Sequence, residues 1–98
     1  RLPEGSLCGY YKYPLLVDTA AHRKALGEHM EKAGVATGSS YWPTTHLQPV
    51  YKKEFGYKEG DFPIAEDILS RVITLPMCAG MKDEEVAYVI EAVKSLQW

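Results

Sequence analysis

No stretch of the sequence approaches the run of about 18 apolar residues that a membrane-crossing helix requires, so a membrane partner is not expected. The opening Arg1-Leu2-Pro3-Glu4-Gly5 lacks the apolar segment of a secretory leader. A cytoplasmic location follows by default, and a start at Arg1 rather than Met points to a missing natural N-terminus. Cysteine is scarce: Cys8 and Cys78 read as free thiols, since two cysteines in an ordinary charged domain do not make a disulfide framework. An excess of one charge is missing too. Lys and Arg number 11 against 13 Asp and Glu, a formal charge of −2, which leaves no basic footprint for nucleic acid. There is no internal repeat and no low-complexity segment. Gly34, Gly38, Gly56 and Gly60 are not spaced as a phosphate-cradling loop and read as caps and turns. No Ser-His-Asp or Cys-His arrangement has supporting context, and Cys78 beside Pro76 and Met77 reads as a small buried apolar residue.

What is present is enough for one small domain over residues 1–98. A chain of this size buries roughly 60–65% of its unfolded surface, a marginal core that support from another domain or subunit would complete. Tyr11, Tyr13, Leu15 and Val17 alternate with Lys12, Pro14, Leu16 and Asp18, which predicts a strand with Pro14 at an edge. Asp18 or Thr19 caps a helix in which His22, Ala25, Leu26, His29, Met30 and Ala33 recur at helical spacing until Gly34. Residues Val35 to Gly38 read as a short strand and Val50 to Phe55 as a helical turn. Pro63 suits a first helical position, with Ile64, Ala65, Ile68 and Leu69 on one face. Arg71 to Leu75 is a β-branched strand stopped by Pro76. A last helix from about Asp83 to Leu96 carries Val86, Val89, Ile90, Val93 and Leu96 as its buried stripe. The order β-α-β-loop-α-β-α predicts an α+β fold, a small, mainly antiparallel sheet covered by helices.

Between Tyr41 and Tyr51 lies the segment richest in chemistry. Pro43 and Pro49 each remove a backbone donor and hold Trp42 and Gln48 extended, so neither a helix nor a paired strand is expected to run through it. Such a stiff loop presents Tyr41, Trp42, His46, Gln48 and Tyr51 to a polar ligand with ring surfaces. The alternative is that these aromatics merely plug the fold. His22 and His29, two turns apart, are too distant for one metal without a third ligand and read as residues at the edge of the core; no metal is expected.

Several of these residues carry a resemblance. His46, Gln48 and Tyr51 form H-x-Q-x-x-Y; Gly60-Asp61-Phe62-Pro63 with Ala65-Glu66 follows, then Leu75-Pro76-Met77, then Glu84-Glu85-Val86 leading into Tyr88-Val89-Ile90. In this order they resemble the C-terminal part of the DegT/DnrJ/EryC1/StrS family, pyridoxal-phosphate-dependent sugar aminotransferases. The resemblance runs from about Tyr11 to the end of the chain and covers only the C-terminal portion of such an enzyme. It implies a fragment, a small domain like the C-terminal domain of fold-type I aminotransferases without its large cofactor domain. It further implies that the loop reaches a nucleotide-linked keto-sugar near a subunit boundary, with Ser40, Tyr41, Trp42, His46, Gln48 and Tyr51 as substrate-binding residues. Two departures stand out: many relatives have His-Tyr where this chain has Ser40-Tyr41, and a proline where it has Trp42. Lys82 also occupies a position where a threonine cap is usual, with Asp83 available as cap one residue later.

The catalytic apparatus implied by the resemblance is an aldimine-forming lysine, an acid for the pyridine nitrogen and donors for the phosphate, all placed in the large domain. Lys12, Lys24, Lys32, Lys52, Lys53, Lys58, Lys82 and Lys94 read as solvated charges, so no catalytic residue and no cofactor-binding residue is assigned to this chain. Pyridoxal phosphate is expected only in full-length relatives. The function implied is the substrate-side part of an enzyme moving an amino group, typically from glutamate, onto a keto-sugar for cell-surface polysaccharide or antibiotic sugar biosynthesis. The alternative is a stand-alone sugar-nucleotide-binding or protein-interaction module without catalysis. A homodimer or other self-association is expected, with Tyr10, Tyr11, Tyr13 and Trp98 as patch residues.

Overall fold

The computed structural model describes residues 3–97; the patch expectation for Trp98 falls outside them. The elements are a strand β1 (Tyr13–Leu16), a helix α1 (Ala20–Lys32), a 3₁₀ turn (Thr45–Leu47), helices α2 (Pro49–Phe55) and α3 (Pro63–Arg71), a strand β2 (Val72–Leu75) and a helix α4 (Asp83–Lys94). The architecture is α+β, a two-stranded antiparallel sheet with four helices, as the sequence pattern predicts.

Local chemistry sets the ends of α1. The Thr19 hydroxyl accepts the His22 N–H at 3.0 Å, satisfying a donor the helix cannot use. At the other end Gly34 is left-handed, its N–H reaches Glu31 O at 2.9 Å, and the Val35 N–H reaches Met30 O at 2.9 Å. These two bonds form a Schellman closure, and its paired residues Met30 and Val35 are both buried in the core. Proline opens α2 and α3, where a missing N–H costs no intrahelical bond. In α4, Asp83 is the first helical residue rather than the cap: Lys82 holds the cap position, and the Glu85 carboxylate accepts the Lys82 N–H at 2.8 Å. The acidic first turn of Asp83, Glu84 and Glu85 complements the positive end of the helix dipole.

The strands pair with Tyr13 opposite Leu75 and Leu16 opposite Val72. Beyond β2 stands one isolated bridge, in which the Thr74 N–H donates to Gly38 O at 2.7 Å and the Gly38 N–H to Thr74 O at 3.0 Å. Because Thr74 spends both backbone groups on Gly38, its pairing with Pro14 is the non-hydrogen-bonded kind. The nitrogen and carbonyl of Pro14 therefore point away from β2, and the missing N–H removes nothing from the ladder. The bridge also corrects the strand expected at Val35 to Gly38, which lacks a second pairing position. At Gly38 a Cβ would stand 2.7 Å from Thr74 Oγ1, so the close approach requires glycine.

The core is Leu26, Met30, Val35, Ile73 and Ala92, with Leu15, Val17, Ala33, Leu75, Val89, Val93 and Leu96 packed around it. Helix α1 is pinned to α4 by polar contacts: His29 Nε2 lies 3.0 Å from Ala92 O and 2.9 Å from Ser95 Oγ, and Tyr88 OH donates to Ala33 O at 2.8 Å. The stripe expected on α4 is only partly covered. Val86 and Ile90 stay open, 41% and 45% exposed, along an apolar cleft with Tyr13, Met77 and Met81. Cys8 and Cys78 are free, and both are exposed, which corrects the buried position expected for Cys78.

Candidate functional site

The Gly38 bridge fastens the start of the aromatic loop to β2. From there Ser40 turns into the interior, while Tyr41 takes a left-handed conformation, φ 56°, and stays exposed with the Lys12 ammonium 4.7 Å from its ring centre. Trp42, joined to Pro43 by a cis peptide bond, lies with the Arg23 guanidinium 6.0 Å from its ring. The loop is less irregular than its prolines suggest. Leu47 N–H to Thr44 O and Gln48 N–H to Thr45 O close a 3₁₀ turn, and Gln48, extended at φ −68° and ψ 146°, delivers the chain to Pro49 as the first residue of α2. Tyr51 thus stands on a helix rather than in the loop.

His46 turns inward. It is 8% exposed, and its Nε2 lies 2.9 Å from Glu66 Oε1, a residue of the first turn of α3. The Glu66 carboxylate also accepts the Gly60 N–H at 3.0 Å on both oxygens and the Phe62 N–H at 3.2 Å. The Gly60 N–H, then that of Phe62 and the His46 ring, hold this carboxyl below its usual range against the opposing effect of desolvation. Phe62 packs its ring 4.8 Å from His46, and Tyr57 lies 6.2 Å away edge-on. Phe55 stacks on Tyr57 at 5.9 Å and Tyr51 on Phe55 at 6.1 Å, extending the row of rings to α2.

Thr44, His46, Tyr51, Tyr57 and Phe62 line a cleft of about 340 Å³. The Thr44 hydroxyl is buried there without a hydrogen-bond partner, at a residue 1% exposed. Of the six residues singled out in the sequence, His46 and Tyr51 line this cleft. Gln48 instead donates to Pro43 O at 3.0 Å and braces the turn. Trp42 borders a separate recess beside Arg23 and Gly38, and Ser40 and Tyr41 line neither. Glu66, Thr44, Tyr57 and Phe62 were not singled out as site residues. An acid in the first turn of a helix opened by Pro63 is a readable signal for Glu66; its bond to a histidine 20 residues earlier is not.

The model of the DegT/DnrJ/EryC1/StrS aminotransferase family matches residues 3–94. The chain belongs to this family. It is 39% identical over 90 residues to the uncharacterised protein MJ1066 of Methanocaldococcus jannaschii, covering 89% of this chain and 23% of that protein. It is 39% identical over 66 residues to the spore coat polysaccharide biosynthesis protein SpsC of Bacillus subtilis, covering 67% and 17%. With the dTDP-3-amino-3,6-dideoxy-alpha-D-galactopyranose transaminase of Aneurinibacillus thermoaerophilus it shares 33% identity over 79 residues, 81% of this chain and 21% of that enzyme. The chain thus spans less than a quarter of the length of each of these relatives. The family's cofactor, pyridoxal phosphate, does not fit the residues present. Every lysine is exposed, Lys24 beside Glu28 at 3.8 Å and Lys94 beside Glu91 at 3.5 Å, and none lies in a desolvated pocket where an amine would be activated. Among the described residues no helix is long and apolar enough to cross a membrane.

Proposed function

We propose that this domain supplies substrate-side contacts to a pyridoxal-phosphate-dependent aminotransferase acting on nucleotide-linked keto-sugars. The observation that carries the reading is the ring-lined cleft at His46, whose walls combine the flat apolar faces of Tyr57 and Phe62 with the His46 imidazole and the Tyr51 phenol. Such walls suit a sugar, which offers hydroxyls for hydrogen bonds and C–H faces for aromatic rings. Cofactor chemistry is assigned to residues outside this chain, in keeping with the exposed lysines.

In the full-length enzyme, replacing His46 by Ala removes one hydrogen-bonding group from the substrate side. A neutral partner lost costs about 0.5–1.5 kcal/mol and a charged one up to about 3 kcal/mol. At about 1.4 kcal/mol per tenfold, the apparent KM for a dTDP-linked keto-hexose rises roughly three- to hundredfold. Conversion of the cofactor to its amino form by glutamate alone, followed in single-turnover absorbance, is expected to stay unchanged. Abolition of that half-reaction in a folded variant refutes the role, and so does an unchanged KM.

A further inference from the structure

We propose that Glu66 is the positioning residue of the His46 loop: it fixes the ring proton on Nε2 and leaves Nδ1 as the one ring nitrogen that can address a ligand. A carboxylate only accepts hydrogen bonds, so every group facing it must donate. Three do, the Gly60 N–H, the Phe62 N–H and His46 Nε2. Gly60 turns its N–H to both carboxylate oxygens from a left-handed conformation, φ 91°, that side chains rarely adopt, so the loop before α3 is shaped around this carboxylate. The Nε2 proton is therefore required whether the ring is neutral or charged, and the tautomer of the neutral ring is decided by Glu66.

His46 Nδ1 has no partner among the described residues, yet it is not sealed from solvent as Thr44 Oγ1 is. A neutral ring accepts a sugar hydroxyl there, and a charged ring donates there to a phosphate oxygen. Glu66 itself acts through His46 and the loop, and this part of the proposal rests on the substrate-side reading given above.

The deciding variant is Glu66→Ala in the full-length enzyme, with Glu66→Gln as its conservative control. In Glu66→Gln the amide oxygen takes the place of Oε1, the oxygen that accepts from both His46 Nε2 and the Phe62 N–H, and the NH₂ falls at Oε2, whose partner is the Gly60 N–H. Glutamine therefore still requires the proton on Nε2, whereas alanine leaves no acceptor there and frees the tautomer of the neutral ring. Nitrogen-15 NMR of ring-labelled protein, with the His46 signals assigned by their loss in His46→Ala, is expected to show Nε2 protonated in the parent and in Glu66→Gln, and a mixture of the two tautomers in Glu66→Ala. The apparent KM for the dTDP-linked keto-hexose is expected to rise in Glu66→Ala by no more than the roughly three- to hundredfold of His46→Ala, and the double variant to be no worse than His46→Ala, since both act on the same contact. A ring still protonated at Nε2 alone in Glu66→Ala overturns the proposal whatever the kinetics, and so do fully multiplicative KM effects. A released tautomer with KM unchanged in His46→Ala sinks the substrate-side reading instead and upholds Glu66 as the group that fixes the ring.

Discussion

Replacing Gly38 by Ala tests whether the close approach at the isolated bridge is what the loop hangs from. Gly38 has no left-handed φ, so alanine can adopt its backbone and the effect is steric. The new Cβ would lie 2.7 Å from Thr74 Oγ1, closer than real Cβ contacts come. Thr74 is β-branched, and each staggered rotation exchanges one substituent for another without opening much space. Overpacking of this kind costs about 1–3 kcal/mol. Alanine restricts the unfolded chain and returns about 0.4–1 kcal/mol. The net loss is then up to about 2.6 kcal/mol, and at about 4–8 °C per kcal/mol for a domain of this size the unfolding midpoint falls by up to roughly 20 °C. Urea unfolding followed by tryptophan fluorescence measures it, with Thr74→Ala and the double variant completing a cycle. The clash explanation requires the double variant to recover at least about 1 kcal/mol of coupling. Simple additivity refutes it, as does unchanged hydrogen exchange at the Gly38 and Thr74 amides, which bond reciprocally at 3.0 and 2.7 Å.

Two further outcomes follow from the core and from the carboxylate cluster. Met30→Ala empties a fully buried site between α1 and the Val35 closure, and is expected to cost about 2–5 kcal/mol in chemical denaturation, a large share of the total for a domain this small. Glu66, whose folded pKa lies below its ordinary 4.5, contributes stability that is present above that value and lost as pH falls through the folded one. The stability difference between the parent and Glu66→Gln should therefore be constant near neutrality and shrink in acid; a difference that grows on acidification refutes the sign.

How far the chain can be read from its residues depends on how local the controlling interaction is. The span from Thr19 to Gly34 was legible because cap, apolar spacing and closing glycine all act within one helix. Strand β2 was legible because β-branched residues end at Pro76. Val35 to Gly38 misled because a strand exists only where a partner runs beside it, and Thr74 offers a single pairing position. The prolines of the aromatic loop argued against regular structure, yet Pro49 is tolerated at the start of α2, where no donor is needed. Family membership was legible from motif order, and the presence of chemistry around His46 from residue types. That His46 faces inward to Glu66 was not, since one hydrogen bond across 20 residues leaves no periodicity to find.

The orientation of Pro14 reaches past the sheet it belongs to. Along the open side of β1, the groups that could recruit a further strand come from alternate residues, and Pro14 sits in the middle of that row with a carbonyl but no donor. An incoming strand would find its ladder interrupted at the centre of a four-residue template, too short to tolerate the gap. Exposed neighbours such as Tyr13 and Leu16 would otherwise make this edge a seed for intermolecular β-stacking. One imino acid thus blunts the β1 edge of the sheet against edge-to-edge pairing with another copy.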